Sequence, residues 1–349
     1  MTDRVLRVVV VDDSAYVRKV VREILSRSPF VEVVGTARDG REALDLVEQL
    51  DPDVVTCDLI MPELDGVGFV REQMQRRPVP IIIMSVAKET AEAALTALDA
   101  GAIDFVQKPT ALASEKIFEV SSELIEKVKA AGKIALNRIS AAPPPSTVTS
   151  EPAIKISGTH SVDIVVIGIS TGGPQALKRL IPQLPEDFPV AVAMVMHMPV
   201  GYTEVYAAKL NDLSRLEVRE AAEGAEIKPG RVFLAPAGRH LTLKRDASGK
   251  VVTHLDAKPF DSLHKPSVDV LFTSAAEVYG NRVLGVVMTG MGSDGKQGAA
   301  WIKSQGGLVF TEAESSCVVY GMPCAVVEAG LSDKSIALEG MAHAIREVV

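Results

Sequence analysis

The sequence predicts an α/β protein made of two doubly wound parallel-sheet domains that are joined by a flexible linker. In both halves of the chain, apolar runs of strand length alternate with amphipathic segments of helical period, which is typical of βαβ units. One segment rich in Pro, Ala and Ser interrupts this alternation. The length of 349 residues also exceeds that of a typical single domain.

The N-terminal domain is predicted to span residues 1–130. Its apolar runs are separated by helical patterns such as residues 14–27 and 41–50, which indicates a parallel sheet with crossover helices. The predicted strands of this domain are residues 6–11, 31–36, 53–57, 81–84 and 103–106.

Residues 131–160 are predicted to form the linker, and residues 161–349 the second domain. Within the linker, residues 141–147 read Ala-Ala-Pro-Pro-Pro-Ser-Thr, a composition that favours an extended chain without a core of its own. A hairpin is predicted over residues 241–255. The other predicted strands of the second domain are residues 164–169, 190–196, 232–235, 283–289 and 308–311.

Composition excludes several classes of protein. The net charge is −8, with 45 acidic and 37 basic residues and no long basic run, so no nucleic-acid partner is expected. The apolar runs are too short to cross a bilayer, and the first residues do not resemble a secretory signal, so no direct membrane insertion is expected. The three cysteines have neither metal-ligand spacing nor an even number. A soluble protein of the reducing cytoplasm is the resulting prediction.

Polar residues follow four of the five predicted strands, at one edge of the N-terminal sheet. Ligands collect at the carboxyl ends of parallel strands, and carboxylates clustered there suit Mg²⁺. A hydroxyl and an ammonium group at the same edge would complete an anion site of phosphate size. Any one such residue could be a solvated loop position, but the joint pattern favours a site. Its members are Asp12, Asp13, Asp58, Ser85 and Lys108.

Residues 5–128 resemble the receiver domains of two-component response regulators. The resemblance implies a flavodoxin-like fold, a histidine kinase as phosphodonor, and a conformational switch formed by Ser85 and Phe105. The motifs that carry it are Val11-Asp12-Asp13-Ser14, Asp58-Leu59-Ile60-Met61-Pro62-Glu63-Leu64-Asp65-Gly66, Ser85 and Phe105-Val106-Gln107-Lys108-Pro109.

The same resemblance assigns a role to each residue of the acidic edge. Asp58 is expected to accept the phosphoryl group, and Lys108 is expected to pair with it. Mg²⁺, needed only for receiver phosphorylation, would be held by Asp13, Asp58 and the backbone carbonyl of Ile60. Asp12 is expected to support this metal site.

The second domain opens with a candidate nucleophile. After the strand at residues 164–169, Gly168-Ile169-Ser170-Thr171-Gly172 has the G-x-S-x-G pattern of a nucleophile elbow. A dinucleotide-binding loop or a purely structural turn would also fit that pattern alone. However, the next strand ends at His197 and not at the acidic residue that a dinucleotide fold requires. We therefore expect Ser170 to be the nucleophile and His197 its general base.

Asp294 is the predicted third member of this constellation. It lies in a Gly-rich turn after the strand at residues 283–289, where the backbone N–H of Met291 is a candidate oxyanion donor. Asp269 is the competing carboxylate, although its helical context favours a capping or structural role. The chain order Ser–His–Asp differs from that of α/β-hydrolases. Candidate substrate contacts are Thr171, His240 and His264.

Residues 162–347 resemble the catalytic domain of chemotaxis protein-glutamate methylesterases. The motifs are Gly168-Ile169-Ser170-Thr171-Gly172-Gly173, His197-Met198-Pro199, Ala235-Pro236-Ala237-Gly238-Arg239-His240, His264-Lys265-Pro266-Ser267-Val268-Asp269, Thr289-Gly290-Met291-Gly292-Ser293-Asp294-Gly295 and Glu314-Ser315-Ser316-Cys317-Val318-Val319-Tyr320-Gly321-Met322-Pro323. Met196 departs from the pattern, because the family commonly has Gln there, and Ser293 stands where Ala is common.

The resemblance implies a Rossmann-like serine esterase that needs no cofactor for ester hydrolysis. Its substrates would be γ-glutamyl methyl esters on the cytoplasmic helices of chemoreceptors, with release of methanol, and specific receptor glutamines would be deamidated. The receiver is expected to inhibit the esterase until it is phosphorylated. A non-catalytic adaptor is disfavoured by the complete Ser–His–Asp set, and a transcription factor by the missing basic recognition helix.

Overall fold

A computed structural model describes residues 4–85, 90–108, 116–134, 162–259 and 262–349. The chain divides into two compact units, Met1–Ala142 and Pro143–Val349, which are considered separately. The predicted linker lies outside the described residues apart from positions 131–134. In the described ranges, every helix is too short or too polar to cross a bilayer.

The N-terminal unit is a five-stranded parallel sheet with the order β2-β1-β3-β4-β5. This flavodoxin-like order changes direction between β1 and β3, which creates a crevice at their carboxyl ends. Each predicted strand is confirmed to within one residue at either end. The elements are β1 Leu6–Val11, α1 Ala15–Leu25, β2 Val31–Ala37, α2 Gly40–Leu50, β3 Val54–Asp58, α3 Gly66–Arg76, β4 Ile81–Ser85, α4 Ala91–Asp99, β5 Asp104–Gln107 and α5 Lys116–Ala131.

Local sequence explains how helices begin beside this crevice. Ser14 caps α1, since its hydroxyl accepts the N–H of Val17. Gly66, the first residue of α3, lies against the end of β3. A Cβ at this position would lie 2.1 Å from the carbonyl oxygen of Asp58. Only a glycine at position 66 therefore lets α3 start directly against Asp58.

The C-terminal unit is built on a second, seven-stranded parallel sheet. Its elements are β6 Ile164–Ile169, α6 Gly173–Leu180, β7 Ala191–Met196, α7 Thr203–Leu213, β8 Glu217–Glu220, β9 Arg231–Leu234, β10 His240–Arg245, β11 Val251–Asp256, α8 Val268–Tyr279, β12 Val283–Val287, α9 Lys296–Ser304, β13 Leu308–Glu312, α10 Met322–Glu328, β14 Lys334–Ile336 and α11 Leu338–Arg346. The predicted hairpin is confirmed as the antiparallel pair β10 and β11.

The strand order of the large sheet is β14-β13-β12-β6-β7-β9-β8. The chain builds outward from β6 on one side and then returns to build from β12 on the other, so the switch of direction lies between these two strands. Strands β6, β7, β12 and β13 are buried along their whole length, as expected for a parallel sheet covered on both faces. The short edge strands β8 and β14 were not predicted.

Helix α8 is packed directly onto β6. A Cβ at Gly168, the penultimate residue of β6, would lie 2.2 Å from Cγ1 of Val268, the first residue of α8. The absence of a side chain at Gly168 therefore brings the N-terminus of α8 to the carboxyl end of the central strand. The backbone N–H groups at the start of α8 therefore lie near the residues that follow β6.

Candidate functional sites in the two units

The acidic residues predicted in the N-terminal unit converge at the crevice. Carboxylate oxygens of Asp12, Asp13 and Asp58 lie within 4.8 Å of one another. Lys108 completes the group, with its Nζ 2.8 Å from Asp12 Oδ2 and 2.7 Å from Asp58 Oδ2. The backbone N–H of Lys108 donates to the carbonyl of Ser85 at 2.7 Å, which fixes the lysine at the end of β4.

The acidic pocket of the N-terminal unit carries more negative than positive charge. Burial raises the pKa of Asp58, the charge on Asp12 raises it further, and the ammonium group of Lys108 opposes both effects. Burial would lower the pKa of Lys108, but the close approach of its ammonium group to the two carboxylates outweighs that effect and raises it. Asp12 Oδ2 is buried and accepts no well-directed hydrogen bond from the described residues, although Lys108 lies close as an ion pair. Three carboxylates beside one ammonium group fit a divalent cation.

The two predicted switch residues are both buried in this structure. Ser85 hydrogen-bonds the hydroxyl of Thr90. Phe105 is held from α5, because Lys127 Nζ donates to its carbonyl at 2.7 Å and lies 5.8 Å from its ring centroid. Lys127 also forms an ion pair with Asp104 at 3.2 Å. A largely buried lysine thus holds the backbone of Phe105, the predicted switch aromatic residue.

In the C-terminal unit, the structure brings Ser170, His197 and Asp294 together at the switch of chain direction. They follow β6, β7 and β12, respectively. The backbone N–H of His197 donates to the carbonyl of Ile169 at 3.2 Å, and the N–H of Ser170 donates to that of Thr289 at 3.0 Å. Backbone hydrogen bonds therefore connect the three strand ends that carry these side chains.

The imidazole of His197 is paired with Asp294 through Nε2, which lies 2.8 Å from Oδ2. A carboxylate can only accept, so Nε2 carries a proton, and in the neutral imidazole Nδ1 is then the acceptor. Among the described residues, neither Nδ1 nor the hydroxyl of Ser170 has another hydrogen-bond partner. Nδ1 is thus the nitrogen available to the serine, whereas Nε2 has that role in the chymotrypsin-type triad.

Asp294 is held by the start of α8. Its Oδ1 accepts from Ser267 Oγ and from the N–H of Asp269, both at 2.9 Å, and its Oδ2 accepts from the N–H of Val268 at 2.8 Å. Burial alone would raise the pKa of Asp294, but the hydrogen bond and charge of His197 and the backbone donors hold it below the usual range. The carboxylate is therefore ionised and fixed in position.

Asp269, the competing candidate, has the capping role that its context suggested. Its Oδ1 accepts the N–H groups of Gly295 at 2.9 Å and Gly298 at 2.7 Å, which lie at the start of α9. Burial and the neighbouring charge of Asp294 raise the pKa of Asp269 to about 6. The two carboxyls thus differ in environment, and only Asp294 is bonded to the imidazole.

The loop after β12 is anchored by Thr289. Its N–H donates to Glu312 Oε2 at 2.9 Å, and its hydroxyl donates to the carbonyl of Thr171 at 2.9 Å and accepts the N–H of Val319 at 3.0 Å. The N–H of Met291, two residues further on, has no hydrogen-bond acceptor among the described residues. The predicted role of oxyanion donor therefore remains open to this N–H.

Glu312 and Gly290 are site residues that the sequence argument missed. Glu312 is fully buried and also accepts the hydroxyl of Ser316 at 2.9 Å, and burial raises its pKa. As an acidic residue at the end of an apolar strand, it carried the same signal that identified Asp58. Gly290 packs against Ser170, since a Cβ at Gly290 would lie 2.8 Å from that of Ser170.

The three candidate substrate contacts differ in position. His264 is exposed and stacks on the ring of His197, with centroids 4.1 Å apart, so it lies at the site. Thr171 is beside the nucleophile, but its side chain is nearly buried. His240 requires a correction: it is completely buried, and both ring nitrogens contact the protein, so it offers no surface to substrate.

Together, the fold and the two sites define a chain with a receiver-type acidic pocket in one unit and a Ser–His–Asp constellation in the other. Residues 165–345 match the CheB methylesterase family, and residues 8–119 match the response regulator receiver domain family. The chain belongs to the CheB methylesterase family and carries an N-terminal response regulator receiver domain.

Full-length relatives agree with this assignment. A Myxococcus xanthus protein named protein-glutamate methylesterase/protein-glutamine glutaminase 5 is 50% identical over 346 residues, which cover 99% of this chain and 98% of that protein. A Thermotoga maritima protein of the same enzyme name is 42% identical over 335 residues, 95% of each chain. The crystal structure of the Thermotoga maritima CheB methylesterase catalytic domain has a TM-score of 0.53 and 43% identity, covering 54% of this chain and 100% of that one.

Proposed function

We propose that this chain is a phosphorylation-activated serine hydrolase that demethylates γ-glutamyl methyl esters on the cytoplasmic helices of chemoreceptors and releases methanol. The observation that carries the proposal is the 2.8 Å hydrogen bond between His197 Nε2 and Asp294, next to Ser170 at the switch of the sheet. Relatives that match the full length of the chain bear the corresponding enzyme name.

In the proposed mechanism, His197 Nδ1 takes the proton of Ser170 as the hydroxyl oxygen attacks the ester carbonyl carbon. The negative charge that develops on the carbonyl oxygen is met by the N–H of Met291, while Asp294 stabilises the imidazolium. The intermediate then collapses, the C–O bond to the methoxy group breaks, and His197 returns the proton so that methanol leaves. Water repeats the sequence on the acyl-enzyme and frees the glutamate and Ser170.

The same residues would deamidate receptor glutamines. In that reaction the acyl-enzyme is identical, because attack on a glutamine side chain also forms a glutamyl ester with Ser170. The leaving group is ammonia, which His197 protonates on departure. The names of the full-length relatives include protein-glutamine glutaminase activity, which supports this second reaction.

In the receiver, Asp58 is the proposed phosphoacceptor and a histidine kinase the donor. Mg²⁺ would be held by Asp13, Asp58 and the carbonyl of Ile60, with Asp12 in support, and would offset negative charge during phosphoryl transfer. Lys108, fixed between two carboxylates, is placed to pair with the phosphoryl oxygens. Since chemoreceptor helices and the kinase face the cell interior, we propose that the protein acts in the cytoplasm.

The test is incubation of the phosphorylated full-length protein with receptor fragments that carry methylated glutamates. We expect methanol release and a mass loss of one methylene group per site, and both should be absent with Ser170→Ala. Ser293→Ala, which changes an exposed residue of the loop that carries Asp294, is the control and should keep activity. If a fluorophosphonate labels Ser170 but no receptor ester is cleaved, the chain is a serine hydrolase with a different substrate.

A further inference from the structure

His240 is a buried histidine that the proposed mechanism does not use. It begins β10 and has no solvent-exposed surface. Its Nδ1 lies 3.2 Å from the backbone nitrogen of Ser267, and its Nε2 lies 3.2 Å from the carbonyl oxygen of Pro259. A backbone N–H can only donate and a carbonyl can only accept, so the ring is neutral with its proton on Nε2. Burial lowers the pKa of His240, which agrees with this state.

The partner of His240 leads directly to the catalytic carboxylate. Ser267 immediately precedes α8, and its hydroxyl donates to Asp294 Oδ1 at 2.9 Å. The next two backbone N–H groups, of Val268 and Asp269, donate to the same carboxylate. Three of the groups that hold Asp294 therefore come from consecutive residues, and the orientation of one peptide affects them all.

Packing alone does not fix the orientation of the Ser267 peptide. The tight contact between Gly168 and Val268 fixes the distance of α8 from the sheet, but a van der Waals contact leaves rotation about the helix start possible. A directed hydrogen bond from the Ser267 N–H to a buried acceptor removes that freedom. A misplacement of about 1 Å at an orienting residue can cost roughly 100-fold in rate.

We propose that His240 is a positioning residue for hydrolysis: its Nδ1 holds the Ser267 peptide so that the start of α8 presents its donors to Asp294, which orients His197. This inference rests on the proposed triad. It also explains why a neutral histidine, and not a charged side chain, occupies a dry position behind the site. A cation there would place a donor against the N–H of Ser267.

Two substitutions separate the two ring nitrogens. In His240→Asn, the carboxamide oxygen reaches the position of Nδ1 and keeps an acceptor for Ser267. In His240→Gln, the longer side chain reaches the position of Nε2, keeps a donor for Pro259 and removes the acceptor. We expect kcat to fall roughly 10- to 100-fold in the Gln variant with KM within about twofold of wild type, and the Asn variant to recover most of the loss. His254→Gln, on the half-exposed face of the same hairpin, is the matched control.

The assay uses p-nitrophenyl acetate and the rate of fluorophosphonate labelling of Ser170, so that its outcome is independent of the receptor substrate. The decisive comparison repeats His240→Gln in an Asp294→Ala background, where we expect a further change of less than about threefold, because the residue acts through Asp294. An equal loss in both backgrounds would overturn the proposal. If the Gln variant does not fold, a folded Asn variant that is as slow as Asp294→Ala would overturn it as well.

Discussion

The two units carry their functional groups at the same place in a parallel sheet, but they neutralise buried charge in opposite ways. The receiver pocket gathers three carboxylates around one ammonium group, and a buried oxygen of Asp12 is left without a directed donor. The hydrolase site contains Asp294, the proposed catalytic carboxylate, which accepts from a hydroxyl and from the backbone of α8.

The receiver pocket therefore needs a bound cation to balance its negative charge, whereas in the hydrolase site the protein itself supplies the groups that balance Asp294. The receiver's excess negative charge favours a divalent cation, so its chemistry depends on what is bound. In the hydrolase site, the N-terminus of α8 supplies the donors that satisfy Asp294, so the hydrogen bond between Asp294 and His197 depends only on packing. We therefore expect substitutions in the receiver to change regulation and substitutions behind Asp294 to change catalysis.

The largest expected effect lies in the hydrolase site. Ser170→Ala or His197→Ala should lower kcat by about four to six orders of magnitude with an unchanged unfolding midpoint, since each removes a reacting group. Asp294→Ala should cost less, because the base remains. Measurement of kcat, with calorimetry as a folding control, checks this. Near-normal turnover in the serine variant would exclude a covalent mechanism.

Asp58→Asn should separate regulation from catalysis. Without a phosphoacceptor, acetyl phosphate and Mg²⁺ should no longer stimulate hydrolysis, while basal activity is kept. A coupling of about 1.4 kcal/mol would make the lost stimulation roughly tenfold. A fragment that begins near residue 157 should be active and indifferent to phosphodonor. Stimulation that persists in Asp58→Asn, or phosphate trapped on Asp12 or Asp13, would contradict the assignment.

Glu312 tests whether the hydrolase site depends on its buried polar groups. Glu312→Ala leaves the N–H of Thr289 without an acceptor and opens a cavity, which should reduce the free energy of unfolding by about 2–4 kcal/mol. Glu312→Gln keeps a carbonyl oxygen for Thr289 and should cost about 1 kcal/mol or less. Chemical denaturation of both variants measures the difference. Equal stability of the two would show that Thr289 is held in another way.

The smallest effect concerns pH and Asp269. Its pKa is about 6 in the folded protein, against roughly 3.9 when unfolded, so the folded state binds this proton more tightly. Ionised Asp269 therefore destabilises the fold above about pH 6, and this cost disappears as the pH falls toward 4. Asp269→Asn should stabilise the protein on the order of 1–2 kcal/mol at pH 8 and little at pH 4. A gain that is equal at both values would refute this account.

Much of the fold could be predicted from hydrophobic periodicity, because the central strands are continuously buried and bounded by turns. The edge strands Glu217–Glu220 and Lys334–Ile336 were missed, since they are short and half-exposed and their sequences lack an apolar run. Predicted strand 283–289 ends at Val287, because Thr289 turns its N–H toward a side chain. Tertiary hydrogen bonds, which periodicity does not record, set that boundary.

The candidate site could be predicted where chemistry follows a strand end. Ser170, His197 and Asp294 were predicted in this way, and Glu312 could have been. His240 was misassigned because a histidine in a predicted loop carries no sign of whether it is buried. Ser267 had a detectable signal, a serine just before a helical pattern, but only the structure reveals that its hydroxyl donates to Asp294 and makes no capping hydrogen bond to the helix.

The ring orientation of His197 has a spectroscopic and chemical consequence. With the proton on Nε2, ¹⁵N NMR of the resting protein should give a pyrrole-type signal from Nε2 and a pyridine-type signal from Nδ1. An electrophile bound over Ser170 would meet Nδ1 first and leave π-alkylhistidine. A chymotrypsin-type site presents the other nitrogen and would leave the τ isomer. The alkylated histidine survives acid hydrolysis of the labelled protein to amino acids. Identification of its isomer therefore shows which nitrogen of His197 faced the electrophile.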